Sequence, residues 1–157
     1  MRPTRATDAR FIPAPPERIF ALLLALDRYA DWWPADIGVE VLTPPPHGVG
    51  SVVAIKLAKS GGGFRCRIVG ADPPRQVEID YIEGAHRGRG LWTLEPQDGG
   101  TQVTYRVDLK PRGLMVGLLS HVMDFAALHS RLMGEVLEGL ERAATKEKAA
   151  EPEAPPP

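Results

Sequence analysis

The chain has 157 residues, 43% hydrophobic and 25% charged, with a net charge of −1: the composition and length of one ordinary globular domain. Charges of both signs are interspersed, which excludes the basic stripe of a nucleic-acid binder, and a lone cysteine, Cys66, excludes an internal disulfide. The longest apolar run, Ile19 to Leu26, is too short to span a bilayer, and Met1 to Arg10 has no signal-peptide core, so a cytoplasmic location is expected.

The alternation over Ala6 to Ala14 predicts a first strand that ends at Pro13 or lies on an edge. Pro15-Pro16-Glu17 opens a helix over about Arg18 to Leu26, because proline suits a first turn and a carboxylate suits the helix N-terminus. Asp27 is expected to cap a second short helix carrying Tyr29, Trp32 and Trp33, stopped by Pro34. Strands follow at Asp36–Thr43, Ser51–Lys59, a segment from Phe64 with Cys66 and Ile68 on its inner face, and Gln76–Glu83 with Val77, Ile79 and Tyr81 inward.

Two turns then set a register. Gly84-Ala85 fits a two-residue turn with glycine first and places Tyr81 opposite Gly88 and Asp80 opposite Arg89. Asp98-Gly99 places Trp92 opposite Tyr105 and Arg89 opposite Asp108. Arg89 thus lies between two carboxylates on the outer face. His86, Gly88, Gly90, Trp92 and Leu94 share the inner face with Val103, Tyr105, Val107 and Leu109.

From Gly113 to Ala143 apolar residues recur in steps of three and four: Leu118, Val122, Phe125, Leu132, Val136 and Leu140, with His129 at the vacant step. Asp124, Arg131, Glu135, Glu138 and Arg142 form the opposite, solvated stripe. One helix on the order of 40 Å long is expected, lying in the concave side of the sheet. Residues 144–157, charged, alanine-rich and proline-ended, are expected to form a disordered tail after a single domain over 1–143.

The order of strand, two short helices, six strands and long helix resembles one superfamily. So do the stretches FIPAPPERIFALLLALDRYADWWP (Phe11 to Pro34), GVGSVVAIKL (Gly48 to Leu57) and DLKPRGLMVGLL (Asp108 to Leu119). They are similar to the START-like, polyketide cyclase/dehydrase (SRPBCC) superfamily, which includes the birch-pollen-allergen fold. The resemblance implies an α+β helix-grip fold, a seven-stranded antiparallel sheet curved around the C-terminal helix. It also implies a cavity between them for a lipid, polyketide, sterol, quinone or hormone. It carries over no catalytic motif, since fold does not imply function.

His129 is the polar residue that stands out, because a leucine would pack better in the middle of that stripe. It either reaches a ligand, as hydrogen-bonding group or acid/base, or is a buried histidine satisfied by Tyr105 or a backbone carbonyl. Tyr81, Trp92 and Tyr105 line a pocket or simply form core; Gly88 and Gly90 leave volume, let the sheet bend, or both. The resemblance implies that the short second helix with Tyr29, Trp32 and Trp33 helps form the cavity rim, and adjacent tryptophans on a helix leave one buried and the other partly exposed. His86 and Phe125 complete the candidate lining, with Met115 as pliable apolar surface whose simpler role is packing.

Cys66 reads as a small buried hydrophobe, and the four histidines have no ligand spacing, so neither metal nor cofactor is expected. The expected activity is binding, or transport, of a small hydrophobic molecule. One alternative is a polyketide cyclase or aromatase using His129 and Tyr105; another is a co-chaperone-like interaction module. No nucleic acid and no integral membrane segment enter any of these readings.

Overall fold

The computed structural model describes residues 2–150, with side chains as far as Lys146. Seven antiparallel strands make one sheet in the order β1-β7-β6-β5-β4-β3-β2. They are β1 Thr4–Ile12, β2 Ile37–Val41, β3 Val52–Leu57, β4 Gly62–Asp72, β5 Gln76–Glu83, β6 His86–Gln97 and β7 Gly100–Pro111. Irregular register in β4, between Arg65 and Cys66 and between Ile68 and Gly70, increases the local bend and twist of the sheet. Helices α1 Pro16–Leu24 and α2 Tyr29–Trp32, joined by a single 3-10 turn over Leu26–Arg28, lead from β1 at one edge to β2 at the other. Helices α3 Gly113–Leu119 and α4 Phe125–Ala150 follow β7, and α4 packs along β1 and against α1 and α2. This is the expected α+β helix-grip architecture.

Local chemistry accounts for most boundaries. Pro16 occupies the first turn of α1 with Glu17 beside it, and Ile19, Phe20, Leu22 and Leu23 are buried. Asp27 does not cap the second helix as expected: it lies inside the 3-10 turn, and neither short segment has a side-chain cap. Both hairpin registers are as predicted, with Tyr81 opposite Gly88, Trp92 opposite Tyr105, and Arg89 opposite both Asp80 and Asp108. Arg89 nonetheless pairs with neither of the carboxylates opposite it. Arg89 bonds Glu78, while Asp108 takes Arg5 at 3.2 Å. These pairs are exposed, so each is worth about 0–1 kcal/mol.

The single helix expected over Gly113 to Ala143 is two helices. The Ser120 hydroxyl donates to the Gly117 carbonyl at 2.5 Å where α3 ends. The Asp124 carboxylate then accepts the Ala127 N–H at 3.1 Å and caps α4. An unbroken helix would have kept Leu118 and Val122 on the buried face; the break leaves them 70% and 81% exposed. The buried stripe of α4 is Met133, Val136, Leu137, Leu140 and Ala144, with Leu132 half-buried at its edge. At the other end α4 runs on to Ala150, so Ala144, expected in the tail, is core. The remainder of that tail, 151–157, lies outside the described residues.

β1 turns its more polar side inward. Thr4, Ala6, Asp8, Arg10 and Ile12 are the more buried set, and Phe11 is 41% exposed. The reason is α4, whose Glu141 receives the Arg10 guanidinium at 2.8 and 2.5 Å.

Candidate functional site

The break between α3 and α4 sets the site. Because α3 does not continue the line of α4, the sheet stays uncovered near the start of α4, and a cleft of about 540 Å³ opens there. That volume lies in the range of small-molecule sites, roughly 300–1,000 Å³. Its walls are mainly apolar, with Leu57 and Phe64 from the sheet side and Met123, Phe125, Leu128 and Leu132 from the helix side. His86 at the start of β6 and His129 on α4 supply imidazoles, and Tyr81 borders the inner end. Behind it lies an enclosed void of about 50 Å³, which Tyr81 and His129 also line. The larger hollows on the outer sheet face are bordered by exposed charged residues such as Arg87, Arg89 and Asp108 and have the character of a solvated face.

The polar groups form a short series. The Tyr81 and Tyr105 hydroxyls are 2.7 Å apart, and His129 Nε2 is 3.5 Å from the Tyr81 hydroxyl. The His129 ring also stacks on Tyr105, with centroids 5.9 Å apart, and His86 meets Phe125 edge-on at 4.8 Å. Among the described residues, His129 Nδ1 and His86 Nε2 are buried without a hydrogen-bond partner, as is one Asp8 carboxylate oxygen. Such unpaired groups each cost about 1–3 kcal/mol.

Burial controls the titration of the site. Desolvation pulls the His129 pKa below its usual value, with the Asp8 charge opposing and His86 reinforcing the shift. Desolvation does the same to His86. Both imidazoles are therefore neutral near pH 7, each with one N–H donor and one acceptor nitrogen. Burial raises Tyr81 and Tyr105 above the usual phenol range, so both keep their protons and can donate. Burial likewise pushes the Cys66 thiol up to about 12, which removes it as a nucleophile at neutral pH. No group of three or more His, Cys, Asp or Glu side chains suited to a metal occurs among the described residues.

The ten residues singled out from sequence are dispersed. His129, Tyr81, Phe125 and His86 lie on the cleft. Tyr29, Trp33, Trp92 and Tyr105 reach only the inner void. Trp32 is 5% exposed and lines neither space, while Met115, 77% exposed on α3, faces away from core and cleft alike. The glycines do not leave volume at the site. A Cβ on Gly90 would lie 2.2 Å from the Tyr105 hydroxyl, and one on Gly88, at φ +146°, would lie 2.1 Å from the Asp108 carbonyl oxygen. Sequence reasoning missed Asp8, whose charge acts on His129, and the Lys59–Asp36 pair, 3.0 Å apart at the cleft margin. The Asp8 signal lay in the β1–β7 register, which sets Asp8 opposite Tyr105.

A curved sheet gripping a helix, with an apolar cleft and few polar groups between them, defines the helix-grip class of ligand-cavity folds. The chain belongs to the family described as polyketide cyclase / dehydrase and lipid transport, whose profile matches residues 3–145. Among solved structures, the protein TTHA0849 from Thermus thermophilus is 22% identical, with 91% of this chain and 98% of that one covered and a TM-score of 0.71. Norcoclaurine synthase from Thalictrum flavum, solved as a point mutant with a transition-state analogue, is 10% identical over 94% and 97% of the two chains, TM-score 0.71. The di-domain ARO/CYC StfQ of the steffimycin biosynthetic pathway is 15% identical over 95% of this chain and 53% of its own, TM-score 0.70. At these identities the likeness is one of fold. No curated protein matches the chain by sequence. No helix among the described residues is long and apolar enough to cross a membrane.

Proposed function

We propose that the chain reversibly binds a small apolar molecule with a polar end in the cleft between the sheet and α4. One observation carries this reading: a largely apolar cleft of about 540 Å³ has two neutral imidazoles on its wall, each with a nitrogen that no protein group satisfies. A ligand hydroxyl or carbonyl near the Phe125 edge would pair with either ring after rotation about χ2, a broad torsion for histidine. The apolar body would lie against Phe64, Leu57 and Leu132. The lipid transport named in the family's description, beside polyketide cyclase and dehydrase, supports the same reading.

The enzymatic alternative rests on the series from His129 through Tyr81 to Tyr105. Tyr105 borders the inner void and not the cleft, so a ligand in the cleft would meet Tyr81 first. Both phenols act in this reading as donors, and His129 is the group able to accept a proton at neutral pH.

Titration of an environment-sensitive naphthalene fluorophore against the wild type, His129→Leu and Leu132→Trp tests the proposal, with melting followed in parallel. Leu132→Trp, which fills the cleft, should abolish binding. His129→Leu should melt at or above the wild-type temperature and bind a polar-ended probe about 5- to 150-fold more weakly, the equivalent of about 1–3 kcal/mol. Unchanged binding in Leu132→Trp places the probe elsewhere and ends the reading. Unchanged binding in His129→Leu alone removes the imidazole from it.

A further inference from the structure

We propose that α3 and the turn after it, residues 113–123, form a docking surface for an anionic lipid bilayer. Leu114 and Met115 are 87% and 77% exposed, and together with Leu118 and Val122 they form an apolar ridge that touches no other part of the core. Leu114 and Leu118, four residues apart, share one side of α3, and Val122 follows in the turn. Monomeric soluble proteins rarely expose large side chains in such a group, and patches rimmed by polar residues mark a partner.

Basic residues gather around the ridge, and the two carboxylates that flank it in the chain are engaged, Asp108 by Arg5 at 3.2 Å and Asp124 as the cap of α4. Lys110 and Arg112 precede it, Arg87 stands opposite Lys110 in the β6–β7 ladder, and the Arg2 backbone N–H donates to the Ser120 hydroxyl at 3.3 Å, bringing Arg2 alongside. No acidic residue occurs from Lys110 to Met123. Arg2, Arg87, Lys110 and Arg112 form no ion pair among the described residues.

This combination selects the occupant. A second copy meeting this face across a two-fold axis would set the same basic collar against itself, which is repulsive. An anionic bilayer takes the apolar ridge into its headgroup boundary and pairs its charges with the collar. The ridge also runs into the cleft: Met123, 40% exposed, belongs to both. Docked this way, the cleft mouth opens beside the lipid surface. The surface requires no particular occupant of the cleft, so it stands or fails independently of the proposed ligand.

The test is flotation of the full chain with vesicles of phosphatidylcholine alone or mixed with phosphatidylglycerol. The wild type should float with the mixed vesicles, less so at high salt, and not with phosphatidylcholine alone. The double variant Leu114→Ser/Leu118→Ser should melt normally, since both side chains are exposed, and bind about tenfold more weakly or worse. Lys110→Ala should weaken binding about fivefold. Absence of wild-type binding, or equal binding by the double variant, overturns the proposal. So does a concentration-dependent dimer that is lost in Leu114→Ser/Leu118→Ser without any vesicle binding, which would assign the ridge to a second copy.

Discussion

The hydroxyls of Tyr81 on β5 and Tyr105 on β7 bond to each other at 2.7 Å across the intervening strand β6. Gly90 of β6 makes this possible, because any Cβ there would collide with the Tyr105 phenol. Three strands are thereby tied together on the inner face, beneath His129.

Each phenol is buried, so removing the Tyr81 hydroxyl strands that of Tyr105, and removing the Tyr105 hydroxyl leaves Tyr81 only the long contact to His129 Nε2 at 3.5 Å. Tyr81→Phe and Tyr105→Phe should each cost about 1–3 kcal/mol, and the double variant should cost clearly less than their sum. Urea midpoints measure this. Strict additivity would mean that the two hydroxyls do not depend on each other.

Two glycines of α4 should respond to alanine with opposite signs. A Cβ on Gly139 would lie 1.9 Å from the Trp32 carbonyl oxygen, a backbone atom that cannot move without shifting α2. Gly139→Ala should therefore destabilise by about 1–3 kcal/mol or more. Gly134 is exposed with open space around it, and Gly134→Ala should stabilise by about 0.4–1 kcal/mol. Thermal melting of both variants checks the close helix crossing.

Leu140 is fully buried, whereas Leu132 is half-buried beside the cleft. Leu140→Ala should cost about 2–5 kcal/mol. Leu132→Ala should cost measurably less, since it enlarges an existing opening instead of creating a closed void. Equal losses in denaturant unfolding would show the cleft to be closed in solution.

Desolvation lowers the folded-state pKa values of His129 and His86 below 6.5. The unfolded chain therefore binds more protons over the window from about 6.5 down to the lowered values, and stability rises with pH there. Their contribution is fully present above the unfolded pKa and is lost as pH falls through the window. His129→Leu should flatten this part of the stability profile, measured by urea unfolding between pH 4 and pH 8 (on the order of the span of histidine titration). An unchanged slope would mean that His129 is solvated when folded.

The last two hairpins of the sheet were legible in the sequence to the level of individual residue pairs. Gly84-Ala85 and Asp98-Gly99 select turn types, turn type selects register, and a register once set places Tyr81, Gly88, Trp92 and Tyr105. The site was legible in fewer particulars. His129 stood out as a polar interruption of an apolar stripe, but the same stripe misplaced Leu118 and Val122. Apolar periodicity continues through Ser120 and Asp124, and nothing in it distinguishes one long helix from two.

The sequence by itself determined the order of elements as far as β7, the registers of the last two hairpins and the family, because alternation, turn residues and helix-start signals act over a few neighbouring positions. Only the tertiary structure decided which side of β1 faces the core, where the last helix breaks and where the cleft opens. Arg10 turns inward because Glu141 awaits it 131 residues later, and Gly139 is needed because the Trp32 carbonyl passes above it. The cleft exists because α3 leaves the line of α4 and takes Leu114, Leu118 and Val122 with it. These are contacts between segments far apart in the chain, and local pattern carries no record of them.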